Sequence, residues 1–236
     1  VALYRKTFKG AVLGFKYVAF YALMEMIGPW ILITTAEQKI DSGLAGLLVS
    51  TVPIFATIIT SLRGDHSVWQ FKRIFGIVVG FVGLILVVGI ESLSGNSDPL
   101  SIAMVILASM GYSYAVIMVT SNLPLVDGIA INGLAMAITS VFWAPVAIAQ
   151  WPSSISINST LSLLALGVFS TAFAFILFFK VMAEIGPARG SLVTYLNTAI
   201  AVVLGVIILR EPLTVGIIVG LPLVLVGSYL ASRKTA

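Results

Sequence analysis

No cysteine occurs in the 236 residues, and His66 is the single histidine. Disulfides and thiolate metal sites are thereby excluded, as are a histidine-rich metal centre and a histidine dyad deep in the fold. Charge is scarce too: Asp, Glu, Lys and Arg make up 9% of the chain, against 59% hydrophobic residues. Soluble domains carry roughly 25% charged residues, so this chain lacks the polar surface to fold in water. It belongs in a lipid bilayer. Alternation of apolar and polar positions, the mark of a barrel strand, is missing, which leaves helices. The net charge of +4 does not point to nucleic acid. Lys and Arg lie at the edges of apolar runs and form no patch with interleaved aromatics.

What is present is a series of apolar runs. They span Gly14–Thr35, Leu44–Leu62, Ile74–Ile90, Leu100–Val119, Ile129–Ile148, Leu161–Met182, Ser191–Leu209 and Leu213–Ala231. Each has the length, about 17 to 23 residues, that lets a helix cross a hydrocarbon core about 30 Å thick. The reading is an all-α polytopic membrane bundle of about eight transmembrane helices. Loop charge sets its orientation. Arg5, Lys6, Lys9, Arg63, Lys72, Arg73, Arg189, Arg233 and Lys234 fall on one side, and little beyond Lys39 and Arg210 on the other. By the positive-inside rule the first side, with the C-terminus, is cytoplasmic.

Two hairpins follow one plan. Ala36-Glu37 lines up with Ala183-Glu184, Gly43 with Gly190, Asp65 with Glu211, Gly76 with Gly220, and Gly83 with Gly227. The second hairpin is offset from the first by five spans and five is odd, so the two cross the membrane in opposite directions. Duplicated halves of this kind build many secondary transporters.

The segment Ser42-Gly-Leu-Ala-Gly-Leu-Leu-Val-Ser-Thr-Val-Pro53 resembles the first-repeat hairpin of EamA-type members of the drug/metabolite transporter superfamily. Tyr195-Leu-Asn-Thr-Ala-Ile-Ala-Val-Val-Leu-Gly205, then Arg210-Glu-Pro-Leu-Thr214 and Gly220 to Gly227, resembles the second. The resemblance implies two inverted five-helix repeats and alternating access for a small-molecule substrate. It also implies a bacterial plasma-membrane location with cytoplasmic termini. Only three spans precede the second repeat, so residues 1–95 read as a partial first repeat lacking its first two helices. Residues 96–236 read as a complete second repeat. Thr198 stands where the family usually has the counterpart of Pro53, which predicts a weaker helix break in the second hairpin, or none.

Glu25 is the sharpest functional candidate. It lies mid-span in Met24-Glu25-Met26-Ile27-Gly28-Pro29-Trp30, where a carboxylate costs about 2.5–3.5 kcal/mol to insert and seldom faces lipid. Lys16, nine residues back, falls on the opposite face and cannot neutralise it. Pro29 and Pro53 are candidate helix breaks that free carbonyls beside a cavity. Glu25 is either a protonatable or cation-binding group facing a pathway, or a structural acid bonded to a neighbouring helix. Trp30, Tyr112, Tyr114, Tyr195 and Asn197 are further pathway candidates, with core packing and interhelical bonding as their alternatives. Lys180 and Glu184 read as a snorkelling ion pair. The small-xxx-small strips Gly76–Gly80 and Gly216–Gly220 specify close helix packing, within the bundle or in a homodimer. No cofactor, metal or enzymatic constellation emerges. The function read from the sequence is a secondary transporter, with proton coupling at Glu25 and a solute site near the midplane between the repeats. The alternatives are a non-transporting receptor or assembly module, or an inactive fragment of a transporter.

Overall fold

The computed structural model describes residues 8–40, 42–88, 98–152, 155–208 and 215–232, and every regular element among them is helical. The first apolar run forms α1 (Phe8–Leu13), α2 (Phe15–Ala22), a π-helical turn (Leu23–Ile27) and α3 (Gly28–Ala36). The second is split into α4 (Ser42–Val49) and α5 (Val52–Leu62). A 3-10 turn (His66–Trp69) leads into α6 (Phe71–Val88), and α7 (Pro99–Asn122) and α8 (Gly128–Ala149) follow. A long apolar stretch then comprises α9 (Ile157–Ala165), a π-helical segment (Leu166–Phe173) and α10 (Ala174–Ile185). The chain closes with the short α11 (Pro187–Gly190), α12 (Val193–Ile208) and α13 (Val215–Ser232). Among the described residues, five stretches are long and apolar enough to cross a membrane: Phe15–Ala36, Leu44–Leu62, Pro99–Asn122, Gly128–Ala149 and Ile157–Ile185. The turn Arg210-Glu211-Pro212, the basic residues Arg5, Lys6, Arg233 and Lys234, and residues 91–97 lie outside the described residues.

Two compact units divide the chain, one from Val1–Ile27 with Met118–Gly186, the other from Gly28–Ile117 with Pro187–Ala236. Each draws helices from both halves of the sequence. In the first unit, α1 and α2 lie along α8 and the loop before it. A Cβ at Gly14 would come within 2.6 Å of Leu123 Cδ2, and one at Gly10 within 3.1 Å of Val126 Cγ2. Asp127 caps α8, its carboxylate accepting from the Ile129 amide at 3.0 Å. Leu161, Leu163, Leu164, Phe169 and Phe173 are all exposed along the long stretch, an apolar surface suited to lipid chains.

The second unit is organised by α6 and α13, which run antiparallel in backbone contact. A Cβ at Gly76 would meet the Gly227 carbonyl oxygen at 2.6 Å, and one at Gly83 would meet the Gly220 carbonyl oxygen at 2.7 Å. The pairs are reciprocal. Gly76 and Gly220 are matched positions of the two hairpins, as are Gly83 and Gly227, so exchanging the helices maps one contact onto the other.

In the same unit the second span is interrupted at Ser50-Thr51. Pro53 cannot donate to the Val49 carbonyl four residues back, so the helix restarts instead of continuing. Hydroxyls stitch the break: Ser50 Oγ donates to Gly46 O at 2.9 Å and Thr51 Oγ1 to Leu48 O at 2.6 Å. Two serines one turn apart on α7 reach it as well. Ser109 Oγ donates to Leu48 O at 3.1 Å, and Ser113 Oγ to Val52 O at 2.9 Å. In the second hairpin α12 runs through position 198 without interruption, while the Thr198 side chain itself lies outside the described residues.

Outside the spans, Asp98 caps α7 by accepting from the Ser101 amide at 3.0 Å and the Ser101 hydroxyl at 2.8 Å. These bonds, the hydroxyl first, hold its carboxyl below the usual carboxylate range. Asp65 is lowered likewise, chiefly by the Ser67 hydroxyl.

Candidate functional site

The polar interior of the first unit gathers around Glu25. Pro29 lacks an amide hydrogen, so it cannot donate to the carbonyl four residues earlier, which is that of Glu25. The helix absorbs the defect by widening into the π-turn Leu23–Ile27, the kind of insertion that marks functional sites in helices. Glu25 sits within that turn, 8% exposed. Its Oε2 has no hydrogen-bond partner among the described residues. Tyr21, one turn earlier, is fully buried and has an unpartnered hydroxyl. The Tyr21 ring rests against Phe179 at a centroid distance of 6.0 Å.

Helix α8 supplies the opposing face. Asn132, Thr139 and Trp143 follow one another at seven and four residues, which at 100° per residue keeps them within about 40° of one line. That line meets the π-turn: Thr139 Oγ1 donates to Met26 Sδ at 3.4 Å. Asn132 is 8% exposed with an unpartnered Oδ1, and the half-buried Trp143 has an unpartnered Nε1. Tyr21, Glu25, Asn132 and Trp143 thus place four unsatisfied polar groups in the interior of one unit. The basic residues described there, Lys9, Lys16 and Lys180, are all exposed. Lys16 lies over the Tyr17 ring, 4.8 Å from its centroid. Among the described residues of this unit, no buried cation compensates Glu25.

The other expected site residues belong to the second unit. Tyr195 is fully buried under Gly80, where a Cβ would come within 2.6 Å of its Cε2, and its hydroxyl donates to Ile77 O at 3.3 Å. That is the environment of a packing residue. Asn197 is exposed on α12, Trp30 is 39% exposed on α3, and Tyr114 is 42% exposed on α7. Tyr112 is half-buried beside Ser113. Pro29 and Pro53 are buried; Pro29 follows the π-turn Leu23–Ile27 and Pro53 lies in the first turn of α5. Lys180 and Glu184 are exposed, and the expected ion pair between them does not form. No group of three or more His, Cys, Asp or Glu able to hold a metal occurs among the described residues.

Two bundles of apolar spans with a buried, uncompensated carboxylate suit a solute pathway, and comparison with known proteins names the family. The sequence matches the EamA-like transporter family over residues 1–89 and 99–233. The chain belongs to the EamA family. It is similar to the uncharacterized transporter YoaV of Bacillus subtilis strain 168, 26% identical over 217 residues, which are 89% of this chain and 73% of that protein. The uncharacterized inner membrane transporter YedA of Escherichia coli K12 is 26% identical over 86% of this chain and 68% of its own length. One solved crystal structure superposes with a TM-score of 0.76 at 15% identity, covering 91% of this chain and 75% of that one, which establishes the shared fold. This EamA chain is therefore a multi-pass membrane transporter.

Asn132 and Tyr21 were not singled out by sequence reasoning. The spacing of Asn132, Thr139 and Trp143 along a single helical line was the available signal.

Proposed function

We propose that this EamA protein is a secondary transporter that moves a small polar or amphiphilic solute by alternating access, with a proton exchanging at Glu25. The observation that carries the reading is Glu25 itself, 8% exposed with Oε2 unpartnered and no buried cation among the described residues of its unit. A carboxylate held that way in a bilayer is uncomfortable in either state. Ionised, it lacks a counter-charge; protonated, it lacks an acceptor for its hydrogen. Such a group is poised to trade one occupant for another. The π-turn loosens the backbone beside it, and the Glu25 carbonyl gains no bond from Pro29.

The loops bearing Arg63, Lys72 and Arg73 are cytoplasmic in this reading, and the protein resides in a bacterial plasma membrane. The test is solute uptake into proteoliposomes under an imposed pH gradient, comparing the wild type with Glu25→Gln. Loss of gradient-driven uptake with retained counterflow is expected. Uptake that still follows the gradient in the variant removes Glu25 from coupling.

A further inference from the structure

One end of the second unit carries an imbalance of charge. Arg63, Lys72 and Arg73 stand where α5 ends and α6 begins, and the short α11, packed against α5 and α13, brings Arg189. Two of these cations are fixed to the fold. Arg63 Nη1 donates to the Ile117 carbonyl at 3.3 Å, and the buried Arg73 donates through Nη2 to Thr57 Oγ1 at 3.3 Å. Burial first, then the like charge of Arg189, hold the Arg73 guanidinium below its ordinary value, and Asp65 opposes them. The connecting loop is tied too, since Trp69 Nε1 donates to Ser61 Oγ at 2.7 Å.

Asp65 is the sole acid among the described residues at this end. Its Oδ1 is engaged by the Ser67 amide at 3.0 Å and the Ser67 hydroxyl at 2.6 Å. The unit's other described acids, Glu37 and Asp98, belong to the far end, where Lys39 Nζ lies 3.7 Å from Asp98 Oδ2. Asp41, Glu91 and Glu211, outside the described residues, adjoin in sequence the far ends of α4, α6 and α13. Arg233 and Lys234 follow α13 in sequence at the near end and only add to the positive sign.

Beside the cations α6 presents an apolar track. Phe71, Phe75, Val78 and Val82 are all exposed and, at 100° per residue, fall within about 30° of one line. The Phe71 and Phe75 rings stack at a centroid distance of 5.9 Å. Gly76, Gly80 and Gly83 turn the other face of α6 toward α12 and α13. The exposed Lys72 lies between the two faces, adjoining Phe71 on one side and Arg73 on the other. A soluble anion would use the cations and leave the track bare. A zwitterionic lipid would use the track and leave the charge unanswered.

We propose that this end of α6 binds a phospholipid of net negative charge. Its phosphodiester pairs with Lys72 in the combined field of Arg63, Arg73 and Arg189, and one acyl chain lies along Phe71 to Val82. The track, roughly 16 Å at 1.5 Å per residue, matches about half the hydrocarbon thickness, which is one leaflet.

The test is native mass spectrometry of the purified protein in detergent, titrated with dioleoylphosphatidylglycerol and dioleoylphosphatidylcholine. Retention of phosphatidylglycerol is expected to saturate and to be at least tenfold stronger than that of phosphatidylcholine. A basic side chain beside an anionic headgroup contributes about fivefold in affinity. Lys72→Gln and Arg189→Gln should therefore each weaken retention about fivefold, with unchanged helical circular dichroism. Lys39→Gln, at the far end, should leave it unaltered. Glycerophosphoglycerol, the same headgroup without chains, should fail to displace the lipid at roughly hundredfold excess. Equal retention of the two lipids overturns the proposal, as does equal loss in Lys39→Gln and Lys72→Gln. Displacement by glycerophosphoglycerol at parity marks a soluble-anion site and overturns it as well. Solute flux plays no part in these measurements, so the proposal stands or falls apart from transport.

Discussion

Replacing Gly227 by alanine tests the packing of the second unit most sharply. A Cβ there would press on the Gly80 amide nitrogen, approach Gly80 Cα at 2.5 Å and reach the Gly76 carbonyl oxygen at 2.6 Å. These are backbone atoms of another helix, and no rotamer change relieves them. Restoring an ordinary contact of about 3.5 Å moves α6 and α13 apart by about 1 Å along their contact. A gap of that size forfeits a quarter to a half of each dispersion well. Over about 40 atom pairs at 0.1–0.2 kcal/mol, the loss is roughly 1–4 kcal/mol. Gly133 provides the control, because nothing lies within 4 Å of its Cβ position. Its alanine variant should match the wild type, or gain up to about 1 kcal/mol from helix propensity. Unfolding in mixed micelles titrated with SDS, followed by circular dichroism, measures both. A Gly227→Ala protein as stable as Gly133→Ala would refute the backbone-contact account.

Tyr195→Phe removes a buried hydroxyl bonded to Ile77 O, so a stability loss of about 1 kcal/mol with unchanged transport is expected. Abolished transport at full stability would return Tyr195 to the pathway. Ser113→Ala removes the bond to the Val52 carbonyl and should cost about 0.6 kcal/mol, the average for interhelical hydrogen bonds in membranes. In the double variant with Ser109→Ala, faster amide exchange around Ser50-Thr51 is expected. Unaltered exchange there would mean the serines do not hold the break. The lowered Asp98 carboxyl contributes stability that is complete above its unfolded value of about 3.9 and is lost as pH falls through the lower folded value. Protection of the Ser101 amide should therefore weaken only at strongly acid pH. Weakening that begins near neutrality would contradict the cap.

Much of this architecture is legible in the residues, for a plain physical reason. A bilayer punishes polarity over a fixed thickness, so the ends of a run such as Ile129–Ile148 fall within one residue of helix Gly128–Ala149. Matched glycines carry further, since only a backbone contact demands them in both hairpins. The interior site is less legible. Glu25 announces itself because a mid-span carboxylate is rare. Asn132 resembles ordinary interhelical bonding until the line through Thr139 and Trp143 is seen to meet Met26. Tyr21 is one aromatic among several, and nothing local reveals that its hydroxyl is unpartnered. For Tyr195 the polar tip suggested a pathway, whereas the ring fills space that Gly80 leaves open. That complementarity is formed between residues more than a hundred positions apart. A break in the second span is foreseeable from Pro53, yet its stitching by Ser109 and Ser113 is not, because those serines sit on another span.

Where two backbones touch there are no torsions to trade, so the seam between α6 and α13 admits one fit and resists shear. The step at Ser50-Thr51 is different. It is tied by hydroxyls that can swap carbonyls at little expense. Bending within this unit therefore concentrates at that step and leaves the seam as a fixed spine.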